Sequence, residues 1–194
     1  MFKIPIVFAI FGASINEIPF KIWANINIID NPLKKKGLQS KPFDGEGLET
    51  KKTQIIKNGK LKTWFLDLAT AHQLRLKSTA HASRNISSPP TPSPTNLYFE
   101  PSNISPKSLI GNIKKGVYLT ELMGSSVNLI NGDYSRGGSG FWIDKGQIIY
   151  PLNGITIADN LNEMFKKITL ANDLEFKQGL NSPTMLIEDM IVAG

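Results

Sequence analysis

The residues best equipped for chemistry stand together in Asn131-Gly132-Asp133-Tyr134-Ser135-Arg136-Gly137-Gly138-Ser139-Gly140. Glycines let backbone approach a ligand closely, and a guanidinium such as Arg136 pairs well with a carboxylate. A phosphate-cradling loop needs a Lys followed by Ser or Thr, or glycines that open a helix after a strand. Neither is present, because the strand-like Phe141-Trp142-Ile143 follows. No Gly-x-Ser-x-Gly elbow precedes a helical pattern, and no His-Glu-x-x-His zinc pattern occurs.

Asp44 and Glu46, between glycines, form a second polar group. Two carboxylates without further ligands make a poor metal site, so they are expected to cap a turn. His72 and His81 are nine residues apart, which fits neither a helical i, i+4 zinc pair nor a finger. Both read as loop or surface histidines. The chain has no cysteine, which excludes a disulfide scaffold, a thiol nucleophile, a thiolate zinc site and a cysteine-held iron–sulfur cluster. Residue chemistry alone therefore assembles no self-contained catalytic constellation.

The elements that position these residues belong to a chain of 194 residues, 41% hydrophobic and 20% charged, the size and make-up of one globular domain. The net charge of +6 is uneven: residues 1–90 carry +8 and residues 91–194 carry −2. Only Arg75, Arg84 and Arg136 are arginines, and Lys, Ile and Asn make up 59 of the 194 residues, the signature of A/T-favouring codons. Bidentate readers of phosphate or guanine are scarce, so nucleic acid is not an expected partner.

Met1-Phe2-Lys3 precedes the apolar run Ile4 to Phe11 and the small residues Gly12-Ala13-Ser14. That outline fits either a signal peptide or the buried edge of a missing element. It is too short to span a bilayer, which needs about 20 apolar residues. Alternation through Ile22-Trp23-Ala24-Asn25-Ile26-Asn27-Ile28, within an apolar segment Ile18–Ile29, predicts a strand ended by a turn at Asp30-Asn31-Pro32. Lys57-Asn58-Gly59-Lys60 predicts a type I′ hairpin. Residues 69–84 predict a short helix running into a polar loop, and the prolines of 87–95 demand an extended stretch.

The second half predicts short strands at Val117–Leu122, Val127–Ile130, Gly140–Ile143 and Gln147–Tyr150. Turns are expected at Asn131-Gly132, Lys145-Gly146 and Asn153-Gly154. Leu161, Met164, Phe165 and Ile168 mark one helical face, with Asn160 as cap and Glu163 in the capping-box position. Met185 to Val192 predicts a closing strand.

The run Gly116-Val117-Tyr118-Leu119-Thr120-Glu121-Leu122-Met123-Gly124, then Gly132 to Trp142, Ile148-Ile149-Tyr150-Pro151 and Ile155 to Leu161, resembles the PmbA/TldD family, in its PmbA (TldE) branch. Lys41-Pro42-Phe43-Asp44-Gly45-Glu46-Gly47, Lys77 to Ala82 and Pro94 to Leu97 resemble further family segments in the same order, with Ala80 where glycine is usual. The match runs through residues 18–194 to the terminal Ile191-Val192-Ala193-Gly194. Family members are about twice as long. The resemblance therefore implies the C-terminal part only, as a single domain over 1–194, with 1–17 a truncated remnant of a domain junction and 87–95 a proline-rich surface loop.

The implied fold is α+β, β-rich, a curled antiparallel sheet with few helices. The implied activity is a cytoplasmic zinc peptidase system. Its TldD-type subunit is similar to a metallopeptidase with a His-Glu-x-x-x-His helix and a downstream cysteine, and its PmbA-type subunit lacks those ligands. The helix would lie upstream of Met1, and the cysteine would fall between Leu174 and Pro183, where Glu175 to Ser182 contains none. The resemblance thus implies an accessory subunit without catalytic or metal-binding residues of its own, zinc residing in a TldD-type partner. Expected partners are that subunit or a second copy, and peptide substrate through the complex, with no membrane. Glu121, Asp133, Tyr134, Ser135 and Arg136 are the candidates for cleft or partner contacts, against the alternative of a purely structural hairpin. A truncated remnant with only a structural role is the competing reading, and a basic nucleic-acid-associated protein is the third.

Overall fold

The computed structural model describes residues 24–128 and 130–194. The apolar run at 4–11 and the first part of the Ile18–Ile29 segment lie outside the described residues. In chain order the elements are β1 (Ile28–Asp30), β2 (Thr53–Lys57), β3 (Lys60–Leu61), α1 (Leu68–Gln73), β4 (Ala82–Ser83), β5 (Thr91–Pro92) and β6 (Leu97–Phe99). They continue with α2 (Pro106–Gly111), β7 (Lys115–Val127), β8 (Asp133–Asp144), β9 (Gln147–Asn160), α3 (Leu161–Met164), β10 (Ile168–Leu170), β11 (Leu180–Asn181), β12 (Met185–Ile187) and β13 (Ile191–Ala193). The α+β, strand-rich class with curled antiparallel sheets and few helices is borne out. The contacts gather into two compact units, one of Asn25–Glu100 with Glu175–Asn181, the other holding Pro101–Leu174 and Ser182–Gly194.

The first unit is built on a sheet of order β11-β6-β1-β2-β3, antiparallel except where β11 runs parallel to β6. Its core is Ile28, Ile29, Ile55, Ile56, Leu97 and Phe99. Every residue of β1 is buried, so the alternation read across 22–28 does not continue into it. The Asn-Gly hairpin forms as expected, with Asn58 and Gly59 both at positive φ (50° and 72°). The short helix expected at the start of 69–84 forms as Leu68–Gln73, and the chain then leaves it as a loop. It is capped by Asp67 and Thr70 in a reciprocal box and stops at Leu74, before Arg75 turns left-handed. Ser87 to Pro89 are exposed, and Thr91–Pro92 pairs antiparallel with Ala82–Ser83.

In the second unit, β7, β8 and β9 form an antiparallel meander, with β13 on the outer side of β9. The short strands expected between 117 and 150 are three long ones of 13, 12 and 14 residues. The register shows why the sheet curls. Between Leu119 and Glu121, and again between Met123 and Ser126, β7 inserts one residue more than β8. Across Gly138–Gly140 and Phe141–Ile143 it is β9 that carries the extra residue. Each bulge bends its strand and raises the local twist. The expected turn at Asn153-Gly154 is one of these bulges, reached by Gly154 at φ 71°. Lys145-Gly146 is a true hairpin turn (φ 47° and 76°).

The helical face read at 161–168 is buried as expected, but the helix is one turn only, and Ile168 already belongs to β10. Leu161, Met164, Phe165 and Ile168 are all in the core, so an apolar period of 3.6 continues across a change of backbone. The expected closing strand is divided. Asp189 at φ 55° breaks it, sending Met185–Ile187 to pair with β10 and Ile191–Ala193 to pair with β9.

Glycine in β8 is required by close approach. A Cβ on Gly140 would stand 2.0 Å from the Tyr118 carbonyl oxygen and 2.9 Å from Leu119 Cα. Gly140→Ala must therefore push β7 away from β8. It is expected to lower stability by about 1–3 kcal/mol, the usual cost of overpacking, measured as the shift of the urea midpoint at unchanged m-value.

Candidate functional site

Two polar constellations emerge, one in each unit. In the first, the carboxylate of Asp30 is fully buried. It accepts from Thr95 N (2.8 Å) and Thr95 Oγ1 (2.5 Å), and its Oδ2 lies 3.2 Å from His81 Nε2. The other ring nitrogen of His81 meets Thr79 Oγ1 at 2.9 Å, and the ring packs 4.8 Å from Phe65. Thr79 Oγ1 in turn accepts from Leu66 N (2.8 Å). His81 is 1% exposed, so it is no surface histidine; a carboxylate 51 residues earlier in the chain made burial possible. His72, by contrast, is exposed on α1.

Asp44 is the neighbouring hub. Its Oδ1 accepts from Glu46 N and Leu48 N (both 2.9 Å), and its Oδ2 accepts from Ala82 N (3.1 Å). Glu46 reaches the start of α1, accepting from Leu68 N at 2.8 Å. The turn-capping role expected of this pair is thus what they perform. Lys41 adds a bond from Nζ to Ala82 O (3.1 Å). The segments 41–47 and 78–82, far apart in sequence, are tied into one network whose carboxylates are consumed by backbone donors. Among the described residues no three of His, Cys, Asp and Glu come together as metal ligands. The donor set does not fit zinc, since both nitrogens of His81 and all oxygens of Asp30 and Asp44 already have protein partners.

In the second unit a cavity of about 920 Å³ opens between the meander and residues 183–194. Val117, Leu119, Leu152, Ile155, Ile157 and Met164 make much of its wall, with Tyr118, Tyr134 and the near-parallel Trp142–Tyr150 pair (6.5 Å between rings) supplying aromatic surface. Burial pushes the Tyr134 phenol above its ordinary 10.0, while the nearby Arg136 guanidinium pulls part of the way back through charge and hydrogen bonding. Burial likewise raises Tyr118, helped by the negative charge of Asp173. Both phenols thus remain donors through neutral pH.

The extra residues fall in β7 and β9, β8 alternates over 133–140, and the five residues singled out by sequence divide between the faces of the sheet. Tyr134, 5% exposed, lies in the cavity wall. Arg136 shares its face, opposite Ile157. Arg136 Nε and Asp159 Oδ2 are both buried without a hydrogen-bond partner. Asp133 and Ser135 face the other way, as does Glu121, which is exposed and paired opposite Ser139. Asp133 accepts from Asn131 Nδ2 (2.7 Å) and so helps fix the turn into β8. Sequence reading passed over Tyr118, Trp142 and Leu152. The alternation of β8, which links Tyr134 to Arg136, was the available signal for that pair.

Comparison with known proteins places these features. Residues 22–194 match the PmbA/TldA metallopeptidase C-terminal domain. The metalloprotease PmbA homolog of Buchnera aphidicola (subsp. Acyrthosiphon pisum) is 38% identical over 182 residues, covering 93% of this chain and 39% of the relative. Metalloprotease PmbA of Escherichia coli O157:H7 is 39% identical over 170 residues, covering 87% and 36%. A candidate modulator of a DNA gyrase from Thermotoga maritima superposes with a TM-score of 0.80 at 31% identity, over 92% of this chain and 41% of that one. The chain thus spans about two fifths of the length of the curated relatives it matches.

Removing Asp30 strands the Thr95 amide, the Thr95 hydroxyl and His81 in a buried site. Asp30→Ala is expected to cost about 3–5 kcal/mol, read by denaturant titration. A second expectation concerns alkali. A phenol whose pKa is raised in the folded state keeps its proton longer than in the unfolded chain, so stability is intact below pH 10.0 and falls as pH climbs through the raised value. Tyr134→Phe should flatten the loss of thermal stability above about pH 10, whatever its effect at neutral pH.

Proposed function

Since this chain belongs to the PmbA/TldA metallopeptidase family, through that family's C-terminal domain, we propose that it acts as the PmbA/TldE-type accessory part of a cytoplasmic zinc peptidase system. In this reading it supplies no metal ligand. It completes the peptide-binding cleft or the interface beside a TldD-type subunit, which holds the zinc and activates the water. The observation that carries it is the family match over residues 22–194, alongside His81, Asp30 and Asp44 being spent on holding loops among the described residues. No helix among the described residues is long and apolar enough to cross a membrane.

The exposed side of the β8–β9 hairpin supports an association role. Phe141, Ile148 and Ile149 are exposed apolar side chains, of the kind that association with a partner covers. The same feature also favours the second reading, a structural remnant whose uncovered apolar surface aggregates. Solution behaviour separates the two: a remnant is insoluble or melts without cooperativity.

Co-expression with a TldD-type protein of the same source provides the test. Stable co-purification, with zinc-dependent cleavage of an unfolded peptide by the pair, is expected. A chain that elutes alone and leaves the partner's activity unchanged overturns the accessory role. Within a functional pair, Arg136→Ala is expected to weaken cleavage by tenfold or more, roughly the cost of losing one charged hydrogen bond; unchanged cleavage removes Arg136 from the cleft.

A further inference from the structure

Asparagine is a thermolabile residue, and glycine after it leaves an unhindered backbone nitrogen within reach of the side-chain amide. The chain has three such pairs, Asn58-Gly59, Asn131-Gly132 and Asn153-Gly154. All three asparagines are exposed, yet their glycines differ. Gly59 is buried, and its N–H donates to Ile26 O (2.9 Å). Gly132 is buried too, its N–H donates to Asn128 O (2.8 Å), and both ends of the Asn131 amide are held by Asp133. Gly154 is exposed, and a Cβ placed on it would meet nothing within 4 Å. It lies in the β9 bulge at φ 71°, where neither Asn153 nor Gly154 has a partner in the registers with β8 and β13.

The electrophile at this third pair is also prepared. Ser139 Oγ donates to Asn153 Oδ1 at 2.7 Å. A donor on a carbonyl oxygen draws electron density from the carbon and steadies the oxyanion that forms when a nucleophile adds. An open nucleophile and a polarised amide thus meet at Asn153, whereas at the other two pairs the nucleophile is tied down.

We propose that Asn153 is a spontaneous modification site, at which the Gly154 nitrogen displaces ammonia from the side-chain amide while the Ser139 hydroxyl donates to its oxygen. Solvent hydroxide takes the Gly154 N–H proton, and the nitrogen's electron pair forms a bond to Asn153 Cγ. The tetrahedral carbon expels Nδ2, which takes a proton from water and leaves as ammonia, closing a succinimide ring. Water then adds to either ring carbonyl and opens it, giving aspartate or isoaspartate; nothing is oxidised or reduced. Either product carries one negative charge more than Asn153, and isoaspartate routes the backbone through the side-chain carbon. Glu121 on β7 pairs opposite Ser139, so the product adds a carboxylate to a stretch of sheet that already holds one.

The full chain, incubated in mildly alkaline buffer and digested for peptide mass spectrometry, provides the test. In the folded protein Asn153 is expected to convert about fivefold or more faster than Asn58 or Asn131, the worth of the hydrogen bond each of the other glycine amides must give up. In urea the three rates should come together. Ser139→Ala is expected to slow Asn153 by about threefold or more, with Asn58 unchanged, and Ser139→Thr, which keeps the hydroxyl, should restore the rate. Should the alanine variant not fold, the ranking of the three sites in the unaltered chain still decides. Isoaspartate is expected beside aspartate at position 153. Conversion of Asn153 no faster than the other two, an undiminished rate in folded Ser139→Ala, or aspartate alone, the mark of direct hydrolysis, overturns the proposal.

Discussion

The second unit depends on one geometric constraint, the pairing of β8 along its whole length to two neighbours that are each longer than it is. Four extra residues, two in β7 and two in β9, have to be absorbed as bulges. Each bends its strand toward greater twist, and together they curl the meander so that one face becomes concave. The glycines of β8 allow it. Gly140 lies so near the Tyr118 carbonyl that any side chain would separate the strands. Glycines that resemble a ligand-binding loop in sequence are therefore the means by which two backbones come together, and the hollow beside Tyr134 is a consequence of that curvature.

The first unit is organised by charge. Asp30 and Asp44 are buried carboxylates, costly to desolvate, and each is offset by several donors at once. Such a hub ties loops that have little apolar surface of their own: 41–47, 78–82 and 95. It specifies one arrangement, because a partly satisfied set of buried polar groups is worse than none. The same economy explains why these residues are unavailable for metal. Three of the roughly four acceptor positions of each carboxylate are already taken by protein donors.

Membership of a metallopeptidase family and a donor set unsuited to metal are compatible if catalysis is divided between subunits. The second unit shows exposed apolar side chains at Phe141, Ile148 and Ile149, and a cavity beside a strand edge that is unpaired among the described residues.

The sequence by itself determined whatever is encoded locally. The Asn58-Gly59 and Lys145-Gly146 hairpins, the cap at Asn160, the turn at Asp44 and the β-rich class all follow from residues within a few positions of each other. The order of family-like segments was also legible, because it requires only collinearity. Tertiary structure decided what depends on distant partners. His81 is buried only because Asp30 and Phe65 are there to receive it. The Asn153-Gly154 pair is a bulge because β8 runs past it without a break. The apolar spacing of 161–168 gave no sign that the helix ends after one turn, since burial repeats regardless of the backbone that delivers it. Likewise the separation of Tyr134 and Arg136 from Glu121, Asp133 and Ser135 rests on strand register. A register is set by pairing between chain segments, and a single strand's residues do not contain it.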